Sequence, residues 1–484
     1  MTEIHEFGVR ALADAVRRRE VSALEVVEHT LRRAESVGPV VGAFSALAPE
    51  AALRAARTAD RRVLAAGPAG GGLPPLTGVP VPPKALNRVA GWPWTLGSAA
   101  FSDQVADVDD GVVTLLQRAG AVLLGLTSTP EFGLPCYTEP DGLPPARTPW
   151  DLERGAGGSS GGAAAAVAAG IVPAALGSDG GGSLRIPAAC CGLVGLKPTR
   201  GRVSPGPLGV DVAGLGVEGA LTRDVRDTAV LLDVLSQPWP GDLYRLPTPR
   251  STFLAACDRD PGRLRVGVLT SPVIAADAPV DPECVDAVSR TADLLESLGH
   301  LMEPAPPPFP TERWATFEVV WGVLAALPAV PADREHLLRP LTRWLRDRGR
   351  ATPAPVYAAA AAGFQEVTRE AARTWAPYDV LLTPTLARLP LPVGALRDDD
   401  DPAADFAAQT RFTPWTSVWN IIGAPAVTLP LHRVRGADRV LPVGVMLGGR
   451  PDAEEQLLSL AAQLEAAAPW PAPPYPELTR ADPS

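Results

Sequence analysis

The chain has 484 residues, of which 46% are hydrophobic and 20% charged, enough to bury a large core. A formal net charge of −10 without a cluster of Lys or Arg excludes the phosphate-neutralising face of a nucleic-acid binder and directs attention to small-molecule chemistry. Cys136, Cys190, Cys191, Cys257 and Cys284 show neither C-x-x-C pairing nor framework spacing, and Met1 to Arg10 carries no apolar leader, so a reducing, cytoplasmic setting is expected.

In chain order, Ser22 and Glu25 have capping-box spacing ahead of an apolar-periodic run through Leu31, and Ala51 to Ala65 repeats small apolar residues at helical intervals. Both predict helices that pack rather than react. From Val79 the short apolar runs VPVPP, AVLLGLT and LVGLKP, separated by Gly-rich turns and Ala-rich stretches, predict strands alternating with helices. An α/β fold with both faces of its sheet covered follows. Residues 155 to 178 carry no charge over a length that would cross a bilayer of about 30 Å. Their GAGGSSGG opening cannot hold a helix at about 1 kcal/mol per glycine, and Pro173 interrupts the rest. A Gly-rich loop entering a core helix is expected instead, with no membrane partner.

Residues 236–262, rich in Pro, Asp and Arg, predict a surface connection. LRVGVL then predicts a strand, and Pro282 to Leu298 an amphipathic helix. The stretch from Pro304 to Ala376 is Pro-punctuated and helical, with Trp314, Phe317 and Trp321 on one face, a stripe assigned here to core packing. The acidic run from Asp398 to Asp401 predicts a solvated loop, Asp452 to Ala467 an amphipathic helix, and the Pro-rich tail a frayed end.

Two serines stand in glycine-rich settings: Ser159 in GAGGSSGGAAAA and Ser183 in GSDGGGSLR, 24 positions apart (159 to 183). Neither segment has the G-K-[ST] of a phosphate loop. Gly180, Gly181 and Gly182 running into Ser183 offer unhindered backbone N–H groups to an oxyanion beside a hydroxyl, the arrangement acyl transfer needs. A serine hydroxyl also needs a base. His5, His29, His300, His336 and His432 all lie outside the 84–200 block, and Ser183 has no G-x-S-x-G elbow. Of 44 basic residues only Lys84 and Lys197 are lysine. A lysine kept in an arginine-rich chain suggests work that guanidinium cannot do, such as accepting a proton. Lys84 sits in the apolar, proline-stiffened GVPVPPKAL, where burial would lower its pKa. Asp179 and Arg185 flank the nucleophile candidate and are read as loop-shaping or as a structural ion pair. Gly214-x-Gly216-x-x-Gly219 with Asp233 matches a dinucleotide fingerprint on paper, but no strand precedes it, and it is read as a turn. No metal-ligand set such as H-E-x-x-H is present, and no cofactor is expected.

GGSSGG at 157–162 and GSDGGGSLRIPAACCGLVGLKPTRG at 177–201 resemble the signature block of the amidase signature family. The resemblance continues in TPEFG, TPWDL, YDVLLTPTLA and NIIGAPAVTLPL, and so covers most of the chain. It implies the amidase signature fold, a large central mixed β-sheet covered by helices on both faces, and a Ser-cisSer-Lys catalytic set. Carried over by matching position, Ser183 would be nucleophile, Ser159 relay and Lys84 base, with Gly180, Gly181 and Gly182 forming the oxyanion hole. One amidase domain is then expected over 1–484, with N-terminal helices (1–75), signature core (76–235), a strand plus variable helical region (236–376), C-terminal core (377–470) and tail (471–484). The chain departs from the common family pattern at Ala85, Leu126, Ser128, Ala156 and Gly180. The substrate implied is a small-molecule amide; the signature block is similar to those of cyclic amide dimer hydrolases and broad-specificity amidases. The resemblance is compatible with a homodimer, and also with the amidase subunit of an aminoacyl-tRNA amidotransferase.

Overall fold

The computed structural model describes residues 3–67, 71–211, 213–435 and 440–475. Ten strands occur among them: β1 (Phe44–Leu47), β2 (Gly125–Thr127), β3 (Ala174–Asp179), β4 (Val194–Lys197), β5 (Val217–Thr222), β6 (Arg265–Val268), β7 (Leu301–Pro304), β8 (Val380–Pro384), β9 (Ala426–Arg435) and β10 (Val440–Gly449). Eight form one mixed sheet in the order β3-β5-β4-β9-β10-β8-β6-β7, antiparallel except where β6 pairs with β7 and β8. β1 and β2 pair separately.

Successive strand residues point to opposite faces, and the packing shows that both faces are covered. Val380 and Leu382 of β8, with Val445 and Leu447 of β10, join the larger apolar cluster, which the N-terminal helices and the helix Glu454–Ala467 complete. The alternate residues Leu381 and Met446 join a second cluster with Trp314, Phe317, Trp375 and Trp419. The expected α/β fold is therefore the one observed.

Local signals act as read. Ser22 accepts from the Glu25 N–H while the Glu25 carboxylate accepts from the Ser22 N–H, starting the helix Ala23–Ser36. Arg265–Val268 is a strand and Pro282–Ser297 a helix. Gly214 and Gly216 form a turn whose N–H groups donate to Asp211, ahead of β5 rather than after a strand, and Asp233 accepts from the N–H groups of Phe253 and Leu254. That disposes of the dinucleotide fingerprint. No helix among the described residues is long and apolar enough to cross a membrane.

The acidic run is the exposed loop expected, with some of its carboxylates engaged. Asp401 caps the helix Pro402–Phe412, and Asp399 pairs with Arg339 and Arg397. The expected tail is docked where it is described: Trp470 donates to the Arg223 carbonyl, and the Tyr475 ring meets His5 edge-on at 5.3 Å. Its remaining residues, 476–484, lie outside the described residues.

Candidate active site

Three segments converge at the free edge of β3. The first is the proline-rich run ending in Lys84. Pro80, Pro82 and Pro83 have no N–H to donate, so the run is held through its carbonyls and the few N–H groups left. Pro82 O accepts from Leu176 on β3, Pro83 O accepts from Thr127 on β2, and the Ala85 N–H donates to Thr127 O. This lays the run between β2 and β3, with Lys84 wholly buried at its end.

The second segment carries Ser159 and Ser160, the latter preceding the buried helix Gly161–Ala168. The Gly158–Ser159 peptide is cis. Glycine is required here for close approach: a Cβ on Gly158 would sit 2.7 Å from the Tyr137 backbone, and one on Gly162 2.4 Å from the Ser128 nitrogen. The third segment is the loop from β3 into the helix Arg185–Cys191, which presents Ser183. The Ser160 N–H donates to the Ser183 carbonyl at 3.3 Å and so ties the second segment to the third.

Lys84 Nζ donates to Ser159 Oγ at 2.7 Å, Ser160 Oγ at 3.0 Å and Ser178 Oγ at 3.1 Å. Burial draws its pKa down to about 7, against the charges of Glu218 and Asp179, which favour the ammonium. The structure thus brings Lys84 and Ser159 into contact. Ser183 lies one strand-end away, and among the described residues its hydroxyl makes no hydrogen bond. Catalytic hydrogen bonds are often long or open before substrate binds.

The loop around Ser183 is braced by Asp179. Its carboxylate accepts from the N–H groups of Gly182 at 2.7 Å and Leu184 at 3.2 Å, and pairs with Arg185 at 2.9 Å with both side chains fully buried. Burial pushes this carboxyl up, but the charge and hydrogen bonds of Arg185, with Lys197 and Asn420, hold it at about 2. Arg185 also donates to Thr416 O and to Asn420 Oδ1. The Asp179–Arg185 pair is therefore the scaffold of the loop. One consequence alters the oxyanion reading: the Gly182 N–H is committed to Asp179, whereas those of Gly180, Gly181 and Ser183 are not engaged among the described residues.

Ser183 opens on a narrow cavity of about 50 Å³. Trp314, Phe317 and Trp321 line it, stacked at 4.2 and 5.2 Å, so the stripe packs in the core as expected and also faces this cavity. A Cβ on Gly180 would lie 3.3 Å from the Trp321 ring, and one on Gly181 3.6 Å from that of Phe317. The spacing of the stripe was legible in the sequence, but not which surface it would meet. No Asp, Glu, Lys or Arg side chain lines this cavity among the described residues.

Sequence reasoning also missed Ser178, Asn420 and Glu218. The signal for Glu218 was an acid inside the apolar run VEGALT. Lys197 is buried too, donating to Pro198 O, so both lysines of the chain lie in its interior. The five histidines lie elsewhere: His5 and His29 stack on each other, His300 meets Gln463, His432 meets Thr291, and His336 is in the 3-10 turn Ala332–Leu337. No group of three or more His, Cys, Asp or Glu among the described residues is placed to hold a metal ion.

A family model described as amidase matches residues 25–458. The 6-aminohexanoate-cyclic-dimer hydrolase of Paenarthrobacter ureafaciens is 36% identical, over 95% of this chain and 94% of that protein. The solved structure of a 6-aminohexanoate cyclic dimer hydrolase complexed with substrate is similar at a TM-score of 0.89 and 33% identity, covering 99% of this chain and 100% of that one. A bacterial aryl acylamidase is similar at a TM-score of 0.85 and 26% identity, covering 97% of this chain and 98% of that one. The chain belongs to the amidase signature family. It is, by that membership, a hydrolase of carbon–nitrogen bonds other than peptide bonds.

Proposed function

We propose that the protein hydrolyses the amide bond of an uncharged small molecule through an acyl-enzyme on Ser183, with Ser159 as relay and Lys84 as base. The observation that carries this reading is the buried Lys84 amine hydrogen-bonded to Ser159 beside the Ser183 loop. Neutral Lys84 accepts a proton from Ser159 as Ser159 takes one from Ser183, whose Oγ attacks the amide carbonyl. The oxyanion is met by uncommitted N–H groups among Gly180, Gly181 and Ser183, each donor in such sites contributing about 2.7 to 4 kcal/mol. The proton returns through Ser159 to the departing amine, and water, deprotonated by the same route, releases the acid.

The charge-free cavity favours an uncharged acyl group, because a buried unpaired charge is costly. It weighs against the amidotransferase-subunit reading, in which the ammonium and carboxylate of glutamine would need partners that the lining does not supply. The relatives named as a 6-aminohexanoate-cyclic-dimer hydrolase and an aryl acylamidase support an amide substrate for this chain.

The test is labelling with a fluorophosphonate probe followed by peptide mapping. One adduct on Ser183, lost in Ser183→Ala and slowed in Lys84→Ala, is expected. An adduct elsewhere, or none, overturns the assignment of the nucleophile. A catalytically silent protein would give no adduct, and an amidotransferase subunit would release ammonia from glutamine but not from neutral amides.

A further inference from the structure

We propose that Glu218 acts on the reaction through Lys84, as the half-buried counter-charge that decides how readily the amine gives up its proton. This rests on the reading of Lys84 as base.

The argument begins with strand register. β3 and β5 are antiparallel, with Ser178 directly opposite Glu218. Directly opposed residues project to the same face with their Cβ atoms about 5 Å apart. Glu218 therefore rises beside Ser178, whose Oγ accepts one of the three hydrogen bonds from Lys84 Nζ. A shift of one residue would have turned the carboxylate to the opposite face. The second observation is that Glu218 Oε2 is sealed from solvent and has no hydrogen-bond partner. A carboxylate oxygen left so inside a fold needs a compensating charge, and Lys84 is the cation that this face supplies.

Electrostatics agree with the geometry. Burial lowers the pKa of Lys84, and the Glu218 charge is the largest effect opposing it. Burial likewise raises the Glu218 carboxyl, and the Lys84 charge is the largest effect opposing that, with a smaller one from the Asn87 side chain. The other charges are accounted for. Asp179, at the end of β3, also favours the Lys84 ammonium, but is already paired with Arg185. Asp110, from the turn before the helix Gly111–Arg118, bears on Glu218 and is paired with Arg88 at 3.5 Å. With one proton between them, Lys84 and Glu218 form a neutral pair. While that proton sits on Lys84 the amine cannot serve as base, and removing the carboxylate that attracts it makes its loss easier.

The experiment follows the rate of fluorophosphonate labelling of Ser183 against pH in the wild type, Glu218→Gln, Glu218→Asp and Lys84→Ala. Glu218→Gln is expected to move the acid limb down by about one pH unit, so that on the limb it labels about tenfold faster relative to its own plateau than the wild type does. Glu218→Asp, with its charge drawn back by one methylene, is expected to move the limb in the same direction by less. Glu303→Gln, which removes an exposed partner of Arg265, should leave the limb in place. A role confined to packing would lower the plateau or the stability without moving the limb. An unmoved or upward-shifted limb in Glu218→Gln, with Lys84→Ala slow throughout, overturns the role of Glu218 and leaves Lys84 as base. If Glu218→Gln does not fold, the Glu218→Asp limb decides by the same criterion. Wild-type labelling in Lys84→Ala overturns the base assignment itself, and with it this inference.

Discussion

Lys84 Nζ and Ser159 Oγ, 75 residues apart in the chain, stand 2.7 Å apart in the interior, where neither group is open to water. The contact exists because a proline-rich run with few N–H donors is laid along the edge of β3, while a glycine-rich turn comes close enough to meet it. An ammonium there is disfavoured, and a neutral amine is the form that can accept a proton.

The first prediction concerns pH. Lys84 has its pKa drawn down to about 7 in the folded protein, so activity should rise through that region and level off above it. Lys84→Ala should lower kcat/KM by a factor on the order of 10² to 10⁴. A pH–rate profile of kcat/KM checks both points; a flat profile from acid to neutral pH would count against Lys84 as base.

The second concerns the scaffold. Removing one member of the buried Asp179–Arg185 pair leaves the other uncompensated, at a cost of about 3 to 5 kcal/mol. Asp179→Asn should therefore lower the melting temperature far more than Arg226→Ala, which breaks the pair with Asp258 near the surface. It should also slow labelling of the intact Ser183, because the amide leaves one acceptor oxygen where the carboxylate gave each of two loop N–H groups its own. Equal melting temperatures for the two variants would show that the brace is dispensable.

The third concerns close approach. Gly182 has φ +135, and a Cβ there would lie 2.6 Å from Thr416 Oγ1. Gly182→Ala should displace the loop and cut labelling of Ser183 at least tenfold, by an amount on the order of one pKa-unit equivalent of free energy or more. Gly71→Ala, with open space around its Cβ position, is the control expected to label normally.

The fourth concerns the aromatic wall. Phe317 and Trp321 line the cavity beside Ser183 and present no group that reacts, so Phe317→Ala should act mainly on ground-state binding. KM is expected to rise with kcat little changed, and the fluorophosphonate rate to stay within a few-fold of wild type. A fall in kcat at constant KM would mean that the ring positions the Ser183 loop instead.

The fifth concerns Lys197. Burial, together with the Arg185 charge, draws its pKa down to about 7, below the unfolded value of about 10.4. Between these values the unfolded chain holds a proton that the folded chain does not, so this group makes stability rise with pH across that window. The melting temperature of the wild type should accordingly gain on that of Lys197→Met from about pH 7 to about pH 9.5. Parallel curves would show that Lys197 keeps its proton in the fold.

The sequence alone determined the alternation of strands and helices and the capped helix at Ser22, and it singled out Lys84, Ser159 and Ser183 as the candidates for chemistry. These are properties of local pattern and residue type: period, capping spacing, glycine runs, and a lysine where arginine is the rule. Tertiary structure alone decided which of them meet. It placed Glu218 opposite Ser178 through strand register, turned Trp314, Phe317 and Trp321 toward a cavity instead of only into a core, and engaged the Gly182 N–H with Asp179. Register and packing direction depend on contacts between segments far apart in the chain, and no periodicity within one segment specifies the partner on the other side.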